Sequence, residues 1–319
     1  MPPYKTSLSS GEVDLQGASE QNRDTGQPEG PQGTRGAGQV ALRWLTAVIV
    51  IPIVLVLVWF GGWVAFAGAM LAMVAGLSEL HYMIRHAGYH RPLIAISVGL
   101  SLLFLVAAML PAQRLLILEI GLSVAVLAAF PVLFLRQQLE GAIFDWSLTL
   151  AMAIYLGWPV SCLLLLRGND PATIQFLPTF ALYLPRGSWW LLTTLLGVWG
   201  CDAAAFFSGR YMGRHRLAPH ISPGKTWEGA AGGLVVAVLA TLLCTVLPLG
   251  VPWYLAIVMG LLIGVAAILG DLAESLIKRQ FHVKDSGQIM PGHGGMLDRI
   301  DSLLFAVIVV FLFAQFIGK

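Results

Sequence analysis

The stretch from Ser275 to Asp301, SLIKRQFHVKDSGQIMPGHGGMLDRID, sets Lys278, Arg279, Lys284, Arg299, Asp285, Asp298 and Asp301 between two apolar runs. Ionisable side chains beside hydrocarbon are costly to keep, so they are functional candidates by default. Carboxylates bind hard divalent cations, Lys and Arg bind phosphate, and glycine lets backbone approach a ligand closely. Upstream, GDLAESLIKRQ spaces Asp271, Glu274, Ser275 and Lys278 at i, i+3, i+4 and i+7, which a helix places on one face. The next apolar run opens with Asp298, Asp301 and Ser302, again on one face. Between them Pro291 to Gly295, PGHGG, reads as a turn whose glycines take positive φ and expose amide N–H groups. Such a pattern suits carboxylates from two helix ends gathered around Mg2+ beside a phosphate cradle. It also suits a charge network of Asp271, Glu274, Lys278 and Arg299 that only locks two helices together.

Two earlier segments carry related chemistry. In WGCDAAAFFSGRYMGRH, Asp202 lies among Gly200, Ala204, Ala205 and Gly209, whose small size lets helices approach closely. An acid there serves as a metal ligand or as a hydrogen-bond partner in helix packing. In HISPGKTWEGAAGG, Ser222 and Pro223 read as the N-cap and first residue of a helix. That helix would turn its N-terminal dipole and Lys225 toward an anion, or would be an ordinary capped helix with a snorkelling lysine. Gly224-Lys225-Thr226 resembles the end of a nucleotide-binding P-loop, but Pro219 occupies the place of its earlier glycine and no strand is expected before it. Glu79 and His81 read as interfacial hydrogen-bonding residues, and Glu119, His86, His90 and His282 as ordinary surface or interface residues. His293, set among glycines, suits phosphate contact, proton transfer or a structural part in the turn.

The elements that must position these residues are membrane helices. The chain is 57% hydrophobic and 11% charged, against about 25% charged in soluble domains. A span needs about 20 mostly apolar residues. Runs at 44–60, 63–84, 93–110, 114–135, 147–167, 189–209, 228–248, 253–277 and 300–318 predict an all-α polytopic protein of nine spans. Residues 173–184 are apolar but short, and predict an interfacial or re-entrant piece. Residues 1–39, rich in Gly, Gln, Pro, Ser and Glu, predict a disordered tail without a secretory signal. Residues 40–190 form the first group of membrane helices, and 191–319 the region that carries the chemistry. Cys162, Cys201 and Cys244 sit in apolar runs without metal-ligand spacing and read as small core residues.

Lys and Arg orient the spans. With a cytoplasmic N-terminus, the inner loops hold Arg85, Arg91, Arg136, Arg210, Arg214, Arg216, Lys225, Lys278, Arg279, Lys284 and Arg299, eleven against four outside (Arg114, Arg167, Arg186 and Lys319). Most of the unusual chemistry then falls in two inner loops at one membrane face. An inverted-repeat transporter would place its polar site near the midplane instead.

These residues resemble the signature of the phosphatidate cytidylyltransferases, or CDP-diacylglycerol synthases. Ser275 to Asp301 reads S-x-I-K-R-x4-K-D-x-G-x4-G-H-G-G-x2-D-R-I-D, and Ser222 to Gly229 reads S-P-x-K-T-x-E-G. The resemblance runs from about Arg43, with Gly200 to Ser302 its diagnostic part. It implies a multi-pass membrane enzyme that joins CTP and phosphatidic acid to give CDP-diacylglycerol and pyrophosphate, with Mg2+ as one or two ions and room for a second, different cation. Carried over by position, it implies Asp202, Asp271, Glu274, Asp298 and Asp301 around the metal. It implies Asp271, Lys225, Lys278, Arg279, Lys284, Asp285, His293 and Arg299 in catalysis. Substrate binding falls to Ser222, Pro223, Thr226, Glu228, Ser275, Gly294, Gly295 and Ser302. The sequence departs from the family pattern at His282, Met290, Cys201 and Ala203, none of which removes a charged group.

The mechanism expected is direct attack of the lipid phosphate on the CTP α-phosphorus, without a protein nucleophile. The rival readings are a CTP-dependent transferase or kinase acting on another lipid such as dolichol, and a membrane transporter. Expected partners are CTP, phosphatidic acid, membrane lipids and a second copy of the chain, with no nucleic acid. The expected location is a bacterial cytoplasmic membrane, with the site on the cytoplasmic side.

Overall fold

The structure is a computed structural model that describes residues 48–88, 91–135, 140–168, 173–177, 180–287, 289 and 294–317. The tail at 1–39, Arg136, Pro291 to His293 and Lys319 lie outside the described residues, and so do the expectations that rest on them.

The described part of each of the nine apolar runs falls largely on helices. They are α1 (Val48–Phe60), α2 (Gly62–His86), α3 (Ile94–Met109), α4 (Arg114–Phe134), α5 and α6 (Ala142–Met152 and Trp158–Arg167), α7 (Arg186–Met212), α8 (Trp227–Leu249), α9 (Trp253–Gln280) and α10 (Leu297–Ile317). A π-helical turn, Ala153–Gly157, joins α5 to α6 into one continuous helix. Seven of these helices, counting Ala142–Arg167 once and α4 with its preceding 3-10 turn, are long and apolar enough to cross a membrane. The described parts of α1 and α3 are shorter. Large apolar side chains such as Leu115, Leu127, Phe134, Leu135 and Phe316 point outward, as they do where hydrocarbon rather than water surrounds the fold.

Inside, two apolar clusters share α6 and α10. One joins α6 to α7, α8, α9 and the lower half of α10 through residues such as Leu195, Ile263 and Val307; the other joins α2, α3 and the α5–α6 helix to Leu297 and Leu304. The three cysteines are buried free thiols, as expected of small core residues. Hydrocarbon gives no hydrophobic drive between helices, so close backbone approach must hold them. The sequence supplies it with glycine. A Cβ at Gly233 on α8 would lie 2.8 Å from Cys201 Sγ on α7. At Gly260 on α9 it would lie 2.6 Å from Val238 Cα on α8, and at Gly270 2.5 Å from the Asp301 carbonyl oxygen on α10.

Two short hairpins interrupt the helices. The segment expected as an interfacial or re-entrant piece folds into an antiparallel pair, β1 (Thr173–Leu177) and β2 (Phe180–Pro185), with Thr173 opposite Pro185. Too short to span, it satisfies its backbone by pairing with itself. The second pair, β3 (Arg216–Ala218) and β4 (Ser222–Thr226), lies between α7 and α8.

Arg167, counted in the sequence as a loop cation, turns inward. Its Nε donates to the Val58 carbonyl at 2.8 Å and its Nη2 to the Trp59 carbonyl at 2.9 Å, while Ser188 Oγ donates to Val58 as well. The last carbonyls of a helix lack intrahelical partners, and Arg167 supplies them for α1.

The α9–α10 crossing is the contact on which the site depends. Gly270→Val is expected to cost about 1–3 kcal/mol by forcing the two backbones apart. Thermal unfolding of the full chain in detergent should show a lower midpoint. An unchanged midpoint would mean that the crossing tolerates a side chain and is not set by Gly270.

Candidate active site

The hairpin between α7 and α8 decides how Lys225 is presented. Ser222 pairs with Ala218, and Arg216 with Thr226. The helix therefore does not begin at Ser222 and Pro223, as the sequence predicts. It begins at Trp227, capped by Thr226, whose Oγ1 accepts from Gly229 N at 3.1 Å. Residues 222–226 already spend their backbone groups on the hairpin, and Pro223 is tolerated in so short an edge pair. A strand does precede Gly224, contrary to expectation. It is one three-residue arm of the hairpin, and Pro219 still stands where a P-loop needs glycine. Glu228, in the first turn of α8, accepts from the Arg214 and His215 amides at 3.1 and 3.3 Å and meets His215 Nδ1 at 2.6 Å. It pins the start of the hairpin to the helix.

Lys225 then reaches α9. Its Nζ lies 2.6 Å from Asp271 Oδ2, with both side chains partly exposed. Ser275 Oγ donates to the other Asp271 oxygen at 3.3 Å. Because Gly270 lets α10 come close, Asp301 stands beside Asp271. Asp202 on α7 completes the group: it lies within electrostatic reach of Asp271 and Lys225, and the Ser302 side chain hydrogen-bonds it. Asp301 Oδ1 accepts from Ser302 N at 2.6 Å. Three helices and the hairpin thus bring three carboxylates and one ammonium to one end of the bundle.

A second charged group lies beside the first and is sealed. Lys278 Nζ sits between Glu274 Oε2 at 2.5 Å and Asp298 Oδ1 at 2.7 Å. The Glu274 side chain is only 1% exposed. Asp298 Oδ2 accepts from Ser286 N, Ser286 Oγ and Gly295 N at 3.0, 2.9 and 2.9 Å. Gly294 has φ of 81°, the left-handed conformation expected of this turn. The five acids expected around a metal therefore fall into two sets. Asp202, Asp271 and Asp301 are open or half-open, while Glu274 and Asp298 are bound to Lys278 and the loop.

Other expected residues are placed as follows. Arg279 Nε donates to the Ile221 carbonyl at 3.4 Å, tying α9 to the hairpin loop. Lys284, Asp285 and Arg299 are exposed, and Ser222 and Pro223 lie on β4. Ser302 is buried against Asp202, and Gly295 is buried beside Ser286 and Glu79.

Two participants escaped the sequence reading. Glu79, expected at an interface, is buried on α2 and receives Ser286 Oγ at 3.2 Å, Met296 N at 2.9 Å and Leu297 N at 2.9 Å. It is hydrogen-bonded, as expected, but its role is to cap the start of α10 and hold the loop before it. A Cβ at Gly295 would lie 2.5 Å from Glu79 Oε2, so glycine is needed there. The available signal was a lone acid late in an apolar run. Tyr155 lies on the π-helical turn, with its buried hydroxyl lacking a hydrogen-bond partner among the described residues, within electrostatic reach of Glu274 and Asp301. Single π turns inside α-helices often mark functional positions.

The donor chemistry of Asp202, Asp271 and Asp301 fits Mg2+, which takes hard oxygen ligands and keeps several waters. Among the described residues no three His, Cys, Asp or Glu side chains are drawn together as a ready-made metal shell. Any ion held here would share Asp271 with Lys225.

Glu79→Gln keeps the size of the side chain but sets an NH2 group against backbone donors. Amide exchange at Met296 and Leu297 is expected to rise about tenfold, the equivalent of about 1.4 kcal/mol of lost hydrogen bonding. Unchanged exchange at both amides would show that Glu79 does not hold the loop.

The sequence profile described as the cytidylyltransferase family matches residues 41–317. The chain is 36% identical over 280 residues to a phosphatidate cytidylyltransferase of Brucella suis biovar 1 (strain 1330), covering 87% of this chain and 94% of that one. It is 35% identical over 299 residues to the Synechocystis sp. (strain ATCC 27184 / PCC 6803 / Kazusa) protein of the same name, covering 85% and 95%. With the Bacillus subtilis (strain 168) protein, again of that name, it shares 38% identity over 227 residues, 69% of this chain and 78% of that one. A match across nearly the whole chain, with the acids and lysines of its signature brought together at one end of the helix bundle, places the chain in the cytidylyltransferase family.

Proposed function

We propose that the protein is a phosphatidate cytidylyltransferase, which joins CTP to phosphatidic acid to give CDP-diacylglycerol and pyrophosphate. The observation that carries this reading is the convergence of Asp202, Asp271 and Asp301 beside Lys225 and Lys278, in a chain whose relatives bear that name. Both substrates are phosphates, so a site for them needs anionic ligands for a bridging cation and ammonium groups for phosphate oxygens. The cluster offers both.

In the proposed reaction a phosphate oxygen of phosphatidic acid forms a bond to the α-phosphorus of CTP. The bond from that phosphorus to the β-phosphate oxygen breaks, and pyrophosphate leaves with the electron pair. A phosphate monoester is largely ionised near neutral pH, so no protein base has to remove a proton and no protein nucleophile is required. Asp202, Asp271 and Asp301 would hold Mg2+, which when bound offsets the charge that develops on the phosphate oxygens. Lys225 orients the α-phosphate from the hairpin side, and Lys278, fixed by Glu274 and Asp298, sets the opposite wall. The hairpin faces the aqueous phase and the helix flanks face lipid, so a nucleotide and a lipid headgroup reach the cluster from different sides. The excess of basic residues in loops at this end of the helices supports a cytoplasmic face.

The test uses purified chain in mixed micelles with labelled CTP, phosphatidic acid and Mg2+, following label into lipid. Wild type should transfer label only with phosphatidic acid and metal present. Asp271→Asn and Asp202→Asn, folded by size-exclusion profile, should each lose about 10²-fold or more in rate. Transfer to an isoprenoid alcohol but not to phosphatidic acid would replace the acceptor. Full activity of Asp271→Asn would remove the carboxylate cluster from the mechanism.

A further inference from the structure

The hydroxyl of Ser286 stands between two acids that come from opposite ends of the chain. Ser286 is 2% exposed, and its Oγ lies 3.2 Å from Glu79 Oε2 on α2 and 2.9 Å from Asp298 Oδ2 on α10. A hydroxyl has one proton to donate. At any moment it therefore serves one carboxylate and only faces the other.

Backbone amides already hold the loop in place. Met296 N and Leu297 N donate to Glu79 at 2.9 Å, and Ser286 N and Gly295 N donate to Asp298 at 3.0 and 2.9 Å. What the hydroxyl adds is a link between the two acids, and the link continues. A carboxylate is planar, so holding Asp298 Oδ2 fixes the direction of Oδ1. That oxygen lies 2.7 Å from Lys278 Nζ, whose other partner is Glu274. A lysine side chain is flexible, and its ammonium takes its place from the groups around it. One line of contacts thus runs from α2 through Glu79, Ser286 and Asp298 to the ammonium of Lys278 on α9.

We propose that Ser286 is a positioning residue, which acts through Asp298 to set the Lys278 ammonium where it meets a substrate phosphate. The part about the phosphate rests on the function proposed above; the placement of Lys278 does not. Ser286 itself touches no substrate and moves no proton. Its effect is geometric, because misplacing a group by about 1 Å can cost about 10²-fold in rate. With one of the three donors on Asp298 Oδ2 gone, the carboxylate is freer to turn and Lys278 is left to follow Glu274. The same link makes the site depend on α2, a helix that supplies none of Asp202, Asp271 and Asp301.

The experiment compares wild type, Ser286→Ala and Ser286→Cys, as full chains in nanodiscs. Acylation of Lys278 by acetic anhydride is followed by mass spectrometry, relative to Lys225 in the same sample. Ser286→Ala should raise it about tenfold, the scale of one hydrogen bond to a charged group. Ser286→Cys, whose thiol donates weakly, should fall between Ser286→Ala and wild type. Amide exchange at Met296 and Leu297 should stay at the wild-type rate. In the transfer assay kcat should fall about tenfold while KM for CTP is unchanged. Wild-type acylation of Lys278 in both variants would overturn the inference. A rise in acylation matched by faster exchange at Met296 and Leu297 would make Ser286 a fastener of the loop, and would also overturn it. A wild-type chain that transfers no cytidylyl group would remove the phosphate from the proposal and refute the proposed activity, while the acylation rates would still decide whether Ser286 places Lys278.

Discussion

Three carboxylates, Asp202, Asp271 and Asp301, are held within electrostatic reach of one another, and the architecture around them exists to keep them there. Like charges in a region of low dielectric repel strongly and resist ionising together. The backbone overcomes this by removing side chains where helices cross. Gly270 brings α9 onto α10, and Gly233 brings α8 onto α7. Lys225, delivered by the β3–β4 hairpin, cancels one of the three charges at 2.6 Å. What remains is a net negative cluster with closely packed helix backbones behind it. On the proposed reading, such a cluster would favour a hard cation.

The neighbouring acids obey the opposite rule. Glu79, Glu274 and Asp298 are withdrawn from solvent and matched with donors. Glu79 takes two backbone amides, Asp298 takes two besides the Lys278 ammonium, the one Ser286 hydroxyl proton lies between the two acids, and Glu274 takes that same ammonium. Removing one partner from a buried charged group leaves the other uncompensated and is strongly destabilising. These acids therefore lock rather than bind. Ser286, Gly295, Met296 and Leu297 are held by carboxylates from α2 and α10. Sequence alone offered metal binding and helix locking as competing accounts of one charge cluster. The structure contains two clusters: Glu274, Lys278 and Asp298 form a lock, while Asp202, Asp271 and Asp301 are more exposed.

Much of this was legible in the sequence because two signals act over short distances. Apolar runs of membrane-spanning length fell on helices, and the i, i+4 spacing of Glu274 and Lys278 became an ion pair. The rest depends on contacts that sequence spacing does not encode. Lys225 meets Asp271 across two helices, and Glu79 meets Ser286 at a separation of 207 residues. The start of α8 was misplaced at Ser222 because a serine before a proline is a local cap signal, whereas pairing with Ala218 is decided by the hairpin. Arg167 looked like a loop cation, since nothing near it reveals that the α1 carbonyls need a donor. Tyr155 gave no signal, because a π turn is a packing outcome rather than a residue pattern.

Depth in the membrane follows from the side chains around the cluster. Phe206, Phe207, Tyr211 and Trp227 are all exposed on the end of α7 and the start of α8, on either side of the hairpin that carries Lys225. Of these, Tyr211 and Trp227 carry a polar edge, and such side chains collect at headgroup level, where one end meets hydrocarbon and the other water. Asp202 lies one helical turn before Phe206 on the same helix, so the carboxylates stand just below that level. A site at the bilayer midplane would expose no such belt beside its acids and would require a nucleotide to cross apolar surface. A site wholly in the loops would require a lipid to leave the membrane. On the proposed reading, a phospholipid at headgroup level would bring its charged end to the acids while its chains stay in hydrocarbon, and a soluble anion would reach the same acids past the hairpin. A reaction between a lipid and a soluble nucleotide would require the carboxylates at that depth, and the close helix crossings supply the rigidity that loops there would lack.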